Sequence, residues 1–133
     1  MRSINIRMNT STAIAVRELL KSEAESRIYL YLLKTNGAKT EDIIKGTKLH
    51  PSTVRELLSK MYSQRLIHRQ KQRNDNIGKN PYLYTASPPR MLLKRYIEDL
   101  EQKLNKIANI GIENNTTPNH YIHILYHDEG GKP

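Results

Sequence analysis

Hydrophobic and polar positions divide this chain into short periodic blocks. Ile4, Ile6 and Met8 alternate with polar residues near the start, with Arg2 and Arg7 among them, and predict a short strand or a flexible arm. Thr10, Ser11 or Thr12 can then cap a helix running through Leu20, with Ile14, Val16, Leu19 and Leu20 apolar. Ser22 and Glu25 have the spacing at which each can satisfy a free N–H of a helix start. Ile28, Tyr29, Tyr31, Leu32 and Leu33 follow, and Asn36-Gly37 supplies a left-handed stop. This predicts a helix over 23–35 whose broad apolar surface makes it the central helix of a domain. Ala38 and Lys39 can form a short strand. Thr40 is expected to cap a short helix over 41–45, Gly46 to end it, and Leu49 to return to the core after the Thr47-Lys48 turn.

The clearest block is LHPSTVRELLSKM, residues 49–61. Pro51 occupies the first helical turn, where its missing N–H has no intrahelical partner to lose. Val54, Leu57, Leu58 and Met61 fall at i, i+3, i+4 and i+7, one helical face. Ser52, Thr53, Arg55, Glu56, Ser59 and Lys60 lie on the other. A short helix, a tight turn and a second helix with short donors and one long cation near its exposed start make a helix-turn-helix suited to the DNA major groove. The plainer alternative is an ordinary surface helix. Residues 66–72 then read as a strand that begins apolar and becomes basic, and 81–85 as a second strand with Tyr82 and Tyr84 on one face. The loop RNDNIGKN between them is rich in turn formers. Such a hairpin after a helix-turn-helix forms a wing carrying Arg69, Lys71, Arg73 and Lys79. The alternative is a solvated hairpin whose lysines only protect an edge strand.

Ser87-Pro88-Pro89 predicts the start of a last long helix, capped by Ser87 and ended by Gly111. Leu93, Ile97, Leu100, Leu104 and Ile107 recur at alternating spacings of four and three, a heptad seam with Tyr96 beside it. A seam this narrow suits a second copy of the same helix, the alternative being packing on its own domain. Residues 114–119 read as a loop, and 120–127 as a strand with Ile122, Ile124 and Tyr126 on one face. His120, His123 and His127 invite a metal reading, but no carboxylate or cysteine completes a convincing set, and polar strand edges are preferred.

Composition narrows the class. A chain of 133 residues fits one domain with an appended helix. Without cysteine it has neither disulfides nor thiolate zinc ligands. No apolar run could span a bilayer and the first ten residues lack a signal-peptide core, so a cytoplasmic, DNA-associated protein with no membrane partner is expected. The charge is uneven. Residues 39–95 hold thirteen Lys/Arg against four Asp/Glu, whereas 96–133 hold three against six. A basic middle is an electrostatic footprint for a polyphosphate, and its alternative is solubility charge or an anionic membrane surface.

Residues 15–104 resemble the winged-helix regulators of the TrmB-like group (archaeal type), and more widely the MarR-like superfamily. The resemblance rests on AVRELLKSEAESRIYLYLL, with Glu25, Tyr29 and Leu32-Leu33 in family spacing, on TEDIIKGTKLHPSTVRELLSKMYSQRLI, and on PYLYTASPPRMLLKRYIEDLEQKL. The order of elements carries more of it than any single motif. It implies sequence-specific DNA binding by a homodimer, with recognition roles for Ser52, Thr53 and Arg55. It also implies a departure: the chain leaves no room for the C-terminal sugar-sensing domain of larger members, so a small-molecule effector is not expected.

No phosphate-cradling glycine loop, zinc-protease motif or nucleophile–base pair is visible, and His50 and His68 read as a turn and a strand-edge residue. The expectation is therefore a mainly α (α+β) protein and not an enzyme, with no cofactor and no metal. It comprises a winged helix-turn-helix over 1–86, a dimerisation helix over 87–112 and a tail over 113–133. Ser52, Thr53 and Arg55 would touch base edges. Lys48, Lys60, Arg69, Lys71, Arg73 and Lys79 would touch phosphates. Leu93, Ile97, Leu100, Leu104 and Ile107 would pair two copies. Two further readings compete: a winged helix used for protein contact, and an architectural DNA-binding protein without sequence choice.

Overall fold

The computed structural model describes residues 10–72, 81–110 and 122–127. Expectations for the first nine residues, for the wing tip with Arg73 and Lys79, for His120 and for Gly111 lie outside these. The elements run α1 (Thr10–Leu20), α2 (Glu23–Thr35), α3 (Thr40–Thr47), α4 (Pro51–Ser63), β1 (Ile67–Lys71), β2 (Tyr82–Ala86) and α5 (Pro89–Ala108). Among the described residues, five helices with one small antiparallel sheet make the mainly helical winged-helix architecture that the periodicities predict. The chain divides into two compact units, Met1–Ser87 and Pro88–Pro133.

In the first unit α2 is the hub. Ser22 caps it, its hydroxyl accepting from the Glu25 N–H at 3.2 Å. Glu25 does not need to complete the reciprocal bond, because its carboxylate is engaged elsewhere, at Lys60 of α4. Asn36 closes the helix in the left-handed region at φ 62°. Ile28, Tyr29 and Leu32 are fully buried along it, against a core completed by Ile43, Val54, Leu58, Met61 and Ile67. The Tyr29 hydroxyl donates to the Ser87 carbonyl at 2.6 Å, which satisfies a polar group that burial would otherwise strand. The same burial pushes the phenol pKa up to about 12.

The helix-turn-helix differs from expectation in its punctuation. Thr40 does not cap α3; it is the first helical residue, and Lys39 occupies the cap position without a side-chain bond. Gly46 does not end α3 either. A side chain there would run into the Tyr31 ring, so glycine serves the close approach of α2 rather than a stop. The helix continues to Thr47, whose hydroxyl donates to the Ile43 carbonyl at 2.6 Å and accepts from the Leu49 N–H at 3.3 Å. Lys48 takes the left-handed position at φ 61°. Arg27 of α2 braces this turn by donating to the Thr47 carbonyl at 3.3 Å.

β1 and β2 pair antiparallel, with Ile67 opposite Ala86 and Lys71 opposite Tyr82. Ala38 adds one bridge to Tyr84, so the predicted strand at 38–39 is a single paired residue. Ile67 is buried and the rest of β1 is exposed, as an apolar-to-basic strand leaving the core should be.

In the second unit, α5 begins after Pro88 and not with a Ser87 cap. Ser87 is occupied otherwise: its hydroxyl donates to the Arg65 carbonyl at 2.8 Å and lies 3.2 Å from His68 Nε2. Asn109 closes α5. Residues 122–127 form no strand with another segment among the described residues. They are held through side chains of α5. Asn105 bonds both backbone groups of Ile122, and the Glu101 carboxylate accepts from the Ile124 N–H and the His123 ring.

Candidate nucleic-acid interface

The site is built on α4. Its start is fastened by His50, which the sequence reading took as a turn residue. His50 Nδ1 accepts from the Ser52 N–H at 3.2 Å and lies 2.8 Å from the Ser52 hydroxyl. An imidazole thus does the work of a capping serine or aspartate. Val54, Leu58 and Met61 bury one face. The other face leaves Ser52 and Arg55 exposed and Thr53 half-buried. Arg55 lines an open groove of about 720 Å³ between α3, α4 and β2, together with Lys39, Glu41, Asp42, Tyr82 and Tyr84. It therefore stands on the side of α4 that faces the hairpin.

The cations have unequal surroundings. Lys48 is exposed on the left-handed residue of the turn. Lys60 reaches back to α2, where its ammonium lies 2.9 Å from the Glu25 carboxylate. That carboxylate is only 6 % exposed while the lysine is 55 % exposed, so the pair neutralises a buried anion from the solvent side. The hydrogen bond to Glu25, then its charge, holds the Lys60 pKa above the ordinary lysine value. Lys71 is exposed at the far end of β1. Arg69 is exposed yet lies against two rings, its guanidinium carbon 4.0 Å from the Tyr62 centroid and 4.3 Å from that of Tyr82. The sequence reading expects neither Tyr62 nor Tyr82 beside Arg69; Tyr82 reads there only as a strand residue. The available signal was strand alternation, which puts Arg69 on the same face as buried Ile67 and so turns it toward α4.

Of the expected seam on α5, Leu93 and Ile107 are 40 % and 63 % exposed. Ile97, Leu100 and Leu104 are half-buried, and Leu92, outside the seam, is the buried residue of this helix. Among the described residues no group of three His, Cys, Asp or Glu is arranged to hold a metal ion, and no helix is long and apolar enough to cross a membrane.

A family model described as the sugar-specific transcriptional regulator TrmB matches residues 22–90, more than half of the chain. The protein belongs to the TrmB family. The match spans the Ser22-capped helix, the helix-turn-helix, the hairpin and the entry to α5. Among solved structures, a possible transcriptional regulator from Methanosarcina mazei Go1 superposes with a TM-score of 0.57 at 17 % identity, over 78 % of this chain and 95 % of that one. At that identity the likeness shows the fold. RV1404 from Mycobacterium tuberculosis is looser, with a TM-score of 0.48 at 12 % identity, covering 71 % of this chain and 65 % of that one. A MarR variant from E. coli, solved with operator DNA, has a TM-score of 0.47 at 15 % identity over 75 % and 76 %. A search of curated proteins returned no match. This TrmB-family chain is a transcriptional regulator of the winged helix-turn-helix type, a DNA-binding class, and its family is one of regulators.

Proposed function

We propose that this TrmB-family protein binds double-stranded DNA sequence-specifically as a homodimer, with α4 in the major groove and the hairpin against phosphate or the adjacent minor groove. One observation carries the reading: Ser52 and Arg55 stand outward on α4, on a helix whose opposite face is locked into the core, while Arg69 and Lys71 stand on the neighbouring hairpin. Short donors and an arginine at a helix start can read base edges, and cations on a hairpin can hold the backbone. In this reading Ser52, Thr53 and Arg55 read bases, and Lys48, Lys60, Arg69, Lys71, Arg73 and Lys79 contact phosphates. Lys60 does so with an ammonium that also serves Glu25.

The dimer is assigned to α5. In this reading residues 1–86 are the DNA-binding domain, the pairing segment 87–112 acts through α5 (Pro89–Ala108), and 113–133 are a tail. Exposed Leu93 and Ile107, with half-buried Ile97, Leu100 and Leu104, form a stripe that a second copy would cover. Two recognition helices would then meet successive major grooves about 34 Å apart and favour a near-palindromic site. The protein would act inside the cell, where that DNA is.

Selection of bound sequences from a random duplex pool tests this. The reading expects an enriched motif with two-fold symmetry. Binding without enrichment would point to architectural coating, and no binding at moderate salt would point to a protein-contact module; either result would overturn it.

A further inference from the structure

The Arg69 side chain is the most constrained cation among the described residues of the hairpin. Ile67, Arg69 and Lys71 share one face of β1 with Ala86, Tyr84 and Tyr82, their partners in β2. Along that face burial falls away from Ile67, which is inaccessible, to Arg69 and Lys71, which are exposed. Arg69 therefore stands where the hairpin leaves the core. At that point the rings of Tyr62, from the last turn of α4, and of Tyr82 both lie within cation–π distance of its guanidinium. Tyr82 is itself supported by Tyr84, whose ring is 6.1 Å away at 59° and whose side chain is buried. Among the described residues no carboxylate pairs with Arg69.

A guanidinium carries its five N–H donors in its own plane. A ring stacked on a face of that plane leaves the edges open, and an edge is what a phosphate takes through two parallel hydrogen bonds. A long side chain held in place also has less rotational freedom to surrender on binding. We propose that Tyr62 and Tyr82 are positioning residues that hold the Arg69 guanidinium edge-outward as a preformed contact to a DNA backbone phosphate, fixing the hairpin to the recognition helix at the same time. This rests on the DNA-binding reading above and adds to it how one contact is organised. Lysine at position 69 would bring the charge without the flat, two-donor edge.

The test uses the full chain and a fluorescein-labelled random-sequence duplex, titrated by anisotropy over a series of KCl concentrations. Arg69→Ala should weaken binding and reduce the slope of log K against log salt by about 0.9, the signature of one lost phosphate contact. The double variant Tyr62→Leu/Tyr82→Leu should lose roughly 2- to 10-fold in affinity, the range expected when one long side chain must be ordered on binding. Tyr62→Phe/Tyr82→Phe keeps both rings and should bind as the wild type does. Adding Arg69→Ala to the leucine pair should cost less than it costs the wild type. An equal cost in both backgrounds overturns the positioning role. If Arg69→Ala leaves binding intact while Lys71→Ala weakens it, the DNA reading stands and this proposal falls. If the wild type shows no salt-dependent binding, both fall together. Should the leucine pair not fold, the wild-type chain answers by NMR. The Arg69 Nε–H signal should be displaced by ring currents in the free protein and shift again on adding duplex. A signal at the position of an unstacked arginine overturns the proposal.

Discussion

Tyr29→Phe removes one oxygen from the core of the first unit, and its effect should depend on pH in a way few other changes could imitate. The hydroxyl donates to the Ser87 carbonyl at 2.6 Å in a buried setting. Deleting it leaves that carbonyl without its partner, which costs about 1–3 kcal/mol near neutral pH. For a domain of this size that lowers Tm by about 4–8 °C per kcal/mol. The wild-type phenol also titrates. Burial raises its pKa from the ordinary 10.0 to about 12. A raised folded-state pKa means that the stabilisation is complete below pH 10 and is lost as pH climbs from there through about 12, because the unfolded chain releases its proton first. The full window corresponds to roughly 3 kcal/mol, at a little over 1 kcal/mol per pH unit. Phenylalanine has no proton to release. Urea titrations of both proteins near pH 8 and near pH 11.5 should therefore show the wild-type advantage shrinking by about 2 kcal/mol, most or all of it. An advantage that is the same at both pH values would refute the reasoning.

Gly46→Ala forces a methyl group into the Tyr31 ring and should destabilise the fold by about 1–3 kcal/mol, read as a fall in the urea midpoint; an unchanged midpoint would show that the ring moves aside freely. Leu100→Asp puts a charge in the centre of the α5 stripe and should shift the protein toward monomer in sedimentation equilibrium, while a mass unchanged at every concentration would remove α5 from the interface. Lys71→Ala should weaken binding to all duplexes alike and reduce the salt slope by about 0.9, whereas a sequence-dependent loss would mark Lys71 as a base reader.

Much of the fold could be read from local chemistry. Ser22, Asn36 and Pro51 act within one turn of where they sit, and each does its expected job. The apolar-to-basic course of β1 follows from alternation against a core that ends at Ile67. What escaped depends on residues brought together by the fold. Gly46 looks like a stop until the Tyr31 ring is placed over it. Ser87 looks like a helix cap until the Arg65 carbonyl and the His68 ring arrive beside it. The segment at 122–127 has the alternation of a strand, yet polar side chains of α5 supply the partners that a neighbouring strand would. In the candidate interface, the outward placement of Ser52 and Arg55 was legible from helical spacing. The setting of Arg69 was not, since Tyr62 and Tyr82 come from separate elements.

The central claim is that α4 distinguishes one base sequence from another while the surrounding cations hold any duplex. The direct measurement compares the affinity of wild type and Arg55→Ala for a selected duplex and for a random one, at a single salt concentration. The predicted result is a loss of about 1–3 kcal/mol confined to the selected duplex, so that the ratio of specific to nonspecific binding collapses. An unchanged ratio, with both affinities falling together or neither falling, would contradict the account.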